Sequence, residues 1–487
     1  MTERSASFFT SRFGMFVAML GMAVGTGNIW RFPRVAASNG GGSFLVAWVV
    51  FLLLWSVPLV MVEFAMGKKA RSGPVAAFGK LVGRRYTWMG AWVAWTAIAI
   101  MFYYAVVTGW TIRYVWGALI GELGAQDPAT VWESFAYSPW VVFFQALALG
   151  LAVFVVARGV RGIEAATKVL IPSLFVLVVV LAIRAVTLPG AGAGLNFLFT
   201  PTLEGLTDAN VWLQALTQNA WDTGAGWGLI LTYAVYLRKQ EDTALNAFML
   251  GFGNNTVSLL AGIMVICTVF SIMPDAASQI VGASNEGLTF IWVPQLFAQM
   301  PAGRFFMILF FVALFFAAWS SLISMVELAT RVLQDAGVAR GRALMLILLA
   351  GFALGAPSAL NEGMFLNQDF VWGVGLMVSG LFFAIAVLKY GVRRFRETLI
   401  NHEYSDIRIG AWFDIVIHLV VLEAIVLVVW WFLQVRGENI WGPFGVANMA
   451  LQFALALGIF LLFNRRIARA SGVTEDAPAL EPASTEA

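Results

Sequence analysis

Apolar stretches of about 20 residues follow one another along nearly the whole chain, separated by short polar or glycine-containing breaks. Stretches of that length match the hydrocarbon thickness of a bilayer when helical. They predict about twelve spans, near 12–37, 43–67, 88–118, 139–157, 165–186, 210–237, 243–272, 303–333, 341–357, 364–389, 411–435 and 443–465. Two of these break their own pattern. The first contains GMAVGTGNIWRFP (21–33) and the sixth QNAWDTGAGWGLILTY (218–233), each with three clustered glycines and polar residues where lipid would be.

The first and sixth spans hold the same place in two successive sets of five. Moving across an odd number of spans turns the second set over relative to the first. Interrupted segments at matching positions of two halves point to a binding site at mid-membrane. Glycine costs up to about 1 kcal/mol per helical position relative to alanine, and unsatisfied backbone in lipid costs several more. Such breaks persist only where they line a cavity or are buried in protein. Freed carbonyls there coordinate cations, and half-helix N-termini face anionic groups.

Composition agrees with this reading. The 487 residues are 60% hydrophobic and 12% charged, about half the charge of a soluble domain. The start, MTERSASFFTSRF, is short and polar and no cleavage-type small-residue motif closes the first apolar run, so that run reads as a retained helix. One cysteine, Cys267, excludes a disulfide within the chain and a thiolate metal site, and His402 and His418 are too isolated for a metal cluster. No base–nucleophile or metal constellation points to an enzyme, and nothing points to a nucleic-acid partner.

Charge placement gives the orientation. Lys and Arg gather at 68–85, 158–168, 238–239, 331–342, 393–396 and 465–469, whereas 121–139 and 189–210 contain none. By the positive-inside rule both termini are cytoplasmic, with Arg436 the exception. The expected organisation is a cytoplasmic N-terminus (1–11), a first five-helix repeat (12–186), a second, inverted one (210–389), two further helices (411–465) and a disordered cytoplasmic tail (466–487).

Individual polar residues sharpen the site. Asn28 offers an oxygen suited to Na+. Arg31 and Asp369, the latter at the mouth of the tenth span, are placed to pair across the outer end. Glu63, in VPLVMVEFAMG, is placed to bond N–H groups freed by the broken helices. Ser320 and Ser321, in FFAAWSS, place two hydroxyls beside a carbonyl; back-bonding to the preceding turn is the plain alternative.

GMAVGTGNIWRFPRVAASNGGGSF, VPLVMVEFAMG, FYY (102–104), the GWGLILTY run and FFAAWSS, in this order, resemble the neurotransmitter:sodium symporter family over about residues 9–465. The resemblance implies an all-α integral membrane protein with a LeuT-type 5+5 inverted repeat and broken helices 1 and 6. It implies two Na+ ions: one at Ala23, Asn28, Asp222 and Asn254 with the substrate carboxylate, the other at Gly21, Val24, Ala317, Ser320 and Ser321. Substrate is expected among Ala23, Thr26, Gly27, Ile100, Tyr104, Trp221, Gly224, Trp227, Ser321 and Met325, with Tyr104 on its carboxylate and Trp221 as lid. Arg31 and Asp369 match the outer gate, and Tyr236 and Asp335 the inner one. A plasma-membrane (inner-membrane) location follows, and a homodimer is compatible with the family.

The chain departs from the family pattern at two places. Ala6 and Phe9 stand where an Arg-x-x-Trp pair usually feeds the inner gate, with Arg4 as the nearest substitute cation. Asp222 replaces a Ser or Thr. Gln218 and Ser258 match the family's chloride ring, but Trp48 replaces its Tyr and Asp222 brings a fixed negative charge. Two unpaired anions a few ångströms apart repel by about 4 kcal/mol at an effective dielectric of 20, so Asp222 is expected to stand in for chloride. The alternative makes Asp222 the counter-ion of an amine substrate. Gly25 argues against this, because amine-carrying members usually hold an Asp there, and a small neutral, apolar or aromatic amino acid is expected instead. A non-cycling substrate sensor is the alternative of a different class.

Overall fold

The structure, a computed structural model, describes residues 8–474. Nine helices are long and apolar enough to cross a membrane, among the described residues, and two bent pairs raise this to eleven. The sixth expected span is present as Ala209–Asp222 followed by Leu229–Ala234, too short and too divided to count by length alone. No strand occurs among the described residues. Fold and span number therefore match the expectation.

The two breaks have different local causes. In the first span, Ser11 caps helix Arg12–Ala23 by accepting from the Gly14 N–H at 3.0 Å. Val24 then turns extended (φ −73°, ψ 112°), and the chain re-enters helix through a wide turn at Gly27–Arg31, bent by 56° from the first half. In the sixth span, Gly224, Gly226 and Gly228 take φ of 70°, 85° and 76°. Side chains rarely adopt this left-handed region, so these glycines allow a break that other residues would resist. The second span also widens at Leu52–Ser56, which ends two residues before Pro58. A proline ring clashes with the carbonyl four residues back, and a widened turn relieves that clash.

Spans 3 (Arg84–Ile120) and 10 (Glu362–Tyr390) are the most enclosed, with 78% of their apolar windows buried, against 39% for spans 4, 5, 9 and 11. The former form the centre of the bundle, and the latter present apolar faces outward. Several connecting helices were not anticipated: Pro74–Val82, Pro128–Phe135, Ala191–Phe199 and Gly287–Ala298. Ala191–Phe199 is glycine-rich and reads as loop, yet it packs closely on span 7. A Cβ on Gly194 would lie 2.8 Å from the Cys267 Cα, so small size, not flexibility, is what this glycine supplies.

The tail expected to be disordered from 466 instead begins with a helix. Asn464–Ala470 bends 65° from Val446–Leu462 and buries Ala468 against Ala76 and Val473. A short apolar stripe, hidden among arginines, holds it. Arg4 and Ala6 lie outside the described residues, as does the tail beyond 474.

Candidate functional site

The two broken spans meet around a cavity of about 330 Å³. Its wall runs from Ala23, Gly25–Asn28 and Tyr104 to Ser284–Glu286 and Phe444, so it reaches toward the side of the bundle away from the basic loops. Nine of the ten residues expected around a substrate line it: Ala23, Thr26, Gly27, Tyr104, Trp221, Gly224, Trp227, Ser321 and Met325.

Ile100 is the correction. It is fully buried and absent from the wall. On span 3 the cavity touches Tyr103, Tyr104 and Val107, which lie about one turn nearer the open side. Sequence reasoning also missed Tyr103, Phe365 and Phe370, which add to the aromatic lining.

Hydrogen bonds define the floor. Tyr104 Oη accepts from the Thr26 N–H at 3.0 Å and faces Thr26 Oγ1 at 3.2 Å. A phenol accepting here keeps its own proton for another acceptor. A Cβ on Gly25 would lie 2.9 Å from both Tyr104 Oη and Ser321 Oγ, so no side chain fits there without displacement.

Behind Asn28 lies a continuous buried network. Its Oδ1 accepts from the Gly25 N–H at 2.7 Å, and its Nδ2 donates to Asn254 Oδ1 at 2.9 Å and Ser258 Oγ at 2.8 Å. Ser258 in turn donates to Asp222 Oδ2 at 2.7 Å. The other Asp222 oxygen, Oδ1, makes no hydrogen bond and lies 3.1 Å from where a Gly27 Cβ would sit, at the cavity wall. Gln218 lies against Asp222 without a hydrogen bond of standard geometry. Trp48 packs its ring on Phe32 at 4.5 Å.

On the opposite flank, Ser321 Oγ donates to the Val24 carbonyl at 3.1 Å, and Ser320 Oγ to the Ala317 carbonyl at 3.0 Å. A Cβ on Gly21 would be 3.4 Å from the Ser320 Cβ. Gly21, Val24, Ala317, Ser320 and Ser321 therefore share one corner, although Ser320 also makes the ordinary back-bond of a helical serine. Among the described residues no cluster of His, Cys, Asp and Glu has the make-up of a metal site. A cation held here would use carbonyl and hydroxyl oxygens, which suit hard ions.

Glu63 takes the place expected of it. Its two oxygens accept from the Gly226 N–H at 2.7 Å and the Leu231 N–H at 3.0 Å. One buried carboxylate thus bonds an N–H inside the break of the sixth span and one in the first turn of the helix that follows it.

The two ends of the site differ. Toward the open side, Arg31 and Asp369 both line the cavity but form no ion pair. The Arg31 guanidinium lies over the Trp221 ring at 5.0 Å, and Asp369 faces Tyr103. The open cavity keeps the expected partners apart. Toward the basic side the packing is closed. Phe9 sits edge-on to Tyr233 and Tyr236, and Tyr236 Oη donates to Glu327 Oε1 at 2.5 Å. Arg340 pairs with Glu327 at 2.6 Å and donates to the Val156 carbonyl at 2.6 Å. Asp335 accepts from the Gly73 N–H at 2.6 Å and pairs with Arg331 at 3.0 Å. Glu327 and Arg340 escaped sequence reasoning. The buried charge of Glu327 within an apolar span was the available signal.

Residues 6–140 and 138–464 match the profile of the sodium:neurotransmitter symporter family. A sodium-dependent transporter of Methanocaldococcus jannaschii is 30% identical over 449 residues, covering 88% of this chain and 91% of that one. The sodium-dependent serotonin transporter of Drosophila melanogaster is 28% identical over 445 residues, covering 81% and 71%. Among solved structures, that of MhsT in complex with L-phenylalanine is 30% identical with a TM-score of 0.75, covering 86% of this chain and 98% of that one.

Proposed function

The chain belongs to the sodium:neurotransmitter symporter family, whose members are transporters and not enzymes, and from that premise we propose that it imports a small neutral, apolar or aromatic amino acid together with Na+. The observation that carries this is the floor of the cavity: a Tyr104 hydroxyl with its proton to give, beside a Gly25 with no room for a side chain. A substrate carboxylate accepts that proton at the N-terminal end of the half-helix that begins at Gly27. Trp221, Trp227, Phe365 and Met325 receive an apolar or aromatic side chain. The phenylalanine bound to MhsT is in keeping with this.

Two Na+ ions accompany the substrate in this reading. The first takes Ala23, Asn28, Asp222 and Asn254 with the substrate carboxylate. The second takes Gly21, Val24, Ala317, Ser320 and Ser321. Because the first ion and the substrate share an oxygen, each strengthens the other's binding, which is the reciprocity symport needs. One charge crossing 100 mV adds about 2.3 kcal/mol of driving force. The basic side faces the cytoplasm by the positive-inside rule. Arg31, Asp369 and Trp221 close the outer end in turn, and Tyr236 and Asp335 belong to the closure of the inner one. Asp222 replaces chloride, since its carboxylate already occupies the Ser258 hydroxyl.

The second reading, an amine with Asp222 as its counter-ion, draws on the unbonded Asp222 Oδ1 at the cavity wall. Competition against radiolabelled phenylalanine uptake in proteoliposomes, driven by a sodium gradient, separates the two. Inhibition by neutral amino acids but not by phenethylamine is expected. Inhibition by the amine alone, or binding of amino acid without flux, refutes the proposal.

A further inference from the structure

We propose that the corner formed by helix Asn464–Ala470 and the basic-side ends of spans 3 and 10 is a binding site for the headgroup of an anionic phospholipid. The helix leaves span 12 at a 65° bend, so it does not continue along that span's axis. Asn464 fixes it in place. Its Oδ1 accepts from the Trp88 N–H at 2.9 Å, and its Nδ2 donates to the carbonyls of Arg84 and Arg85 at 3.1 and 3.2 Å. Ala468 seats the inner face against Ala76 and Val473. The arginine-bearing helix and the start of span 3 therefore share one corner.

Five cations project from it into solvent: Arg85, Lys389, Arg465, Arg466 and Arg469. None is paired with a carboxylate among the described residues; the ion pairs of this side involve other residues. Arg85 and Lys389 flank the Tyr86 ring at 6.0 and 4.4 Å, and Arg466 lies over Phe463 at 5.5 Å. Aromatic rings at the end of a membrane span mark the headgroup level, and headgroup phosphates supply the anion that these arginines do not find among the described residues. Among the described residues these cations gather without a carboxylate, and like charges repel one another. Such an arrangement gains from a bound phosphodiester, which the planar guanidinium fork matches geometrically. The corner lies on spans 3, 10 and 12, outside the cavity wall, and rests on no assignment of substrate.

The competing occupant is the chain's own segment 475–487, which carries Glu475, Asp476, Glu481 and Glu486. The test uses the full chain in mixed phosphatidylcholine and phosphatidylglycerol, partly delipidated in detergent, with retained lipid identified by mass spectrometry. Retention enriched in phosphatidylglycerol is expected. Each arginine contributes about fivefold at low salt. The variant R465Q/R466Q/R469Q should lose most of that enrichment, and the corresponding triple Lys variant should keep most of it. Deleting 475–487 should leave it unchanged. Equal enrichment in the wild type and the triple Gln variant, or enrichment that appears only after the deletion, overturns the proposal. The melting temperature of each variant in phosphatidylcholine alone guards against misfolding.

Discussion

With Asp222 standing in for chloride, as proposed, replacing it by serine should make uptake depend on chloride. Asp222 Oδ2 takes the Ser258 hydroxyl at 2.7 Å, so a chloride bound by that hydroxyl and Gln218 would lie about 4 Å from the carboxylate. At an effective dielectric of 20 the repulsion is about 4 kcal/mol, or about a thousandfold in chloride affinity. On the proposed reading the wild type therefore excludes the anion and does not need it. In D222S the exclusion is lifted, and the Asn28–Ser258 network loses the negative charge that balances a nearby Na+. Sodium-driven uptake in proteoliposomes, with chloride replaced by gluconate, reads this out. Wild-type uptake should not change on replacement. D222S uptake should fall more than about tenfold in gluconate and recover with chloride. Collapse of wild-type uptake in gluconate refutes the reasoning. So does a folded D222S protein, verified by its melting temperature, whose uptake ignores chloride.

Contacts at Glu63, Gly25 and Arg340 set three further outcomes. Glu63→Gln replaces one acceptor oxygen by a donor facing an N–H, either at Gly226 or at Leu231. It should destabilise the protein by about 2–3 kcal/mol, seen as a lowered melting temperature, and an unchanged melting curve contradicts the role of Glu63. Gly25→Ala brings a Cβ to 2.9 Å from Tyr104 Oη and Ser321 Oγ. Substrate affinity should drop at least about tenfold, a cost near 1.4 kcal/mol, by equilibrium binding, with little change in melting temperature. Arg340→Gln leaves Glu327 buried without its cation. The cost should be about 3–5 kcal/mol, larger than for Tyr236→Phe at about 1–2 kcal/mol, and the reverse order in thermal unfolding contradicts the described packing.

The sequence by itself determined the membrane class, the approximate ends of the spans and the two interrupted helices. Each of these follows from chain-local quantities: the length of an apolar run, the placement of basic residues and the clustering of Gly224, Gly226 and Gly228 against the cost of helix. Thus the seventh expected span, 243–272, coincides with helix Thr243–Ile272. The pairing of Glu63 with the broken sixth span was also legible, because a carboxylate in lipid and freed N–H groups each need what the other supplies. What only the tertiary structure decided depends on how helices rotate and tilt against one another. Ile100 and Tyr104 lie one turn apart on the same helix, yet the cavity reaches only Tyr104. Arg31 lies over Trp221 without pairing with Asp369 because the cavity holds them apart. Glu327 meets Tyr236 and Arg340 across three segments of chain. Helix Asn464–Ala470 stands on Ala76, nearly four hundred residues away in sequence. Local patterning fixes where a helix exists, but a side chain's neighbour on another helix is set by packing geometry that no single stretch of chain encodes.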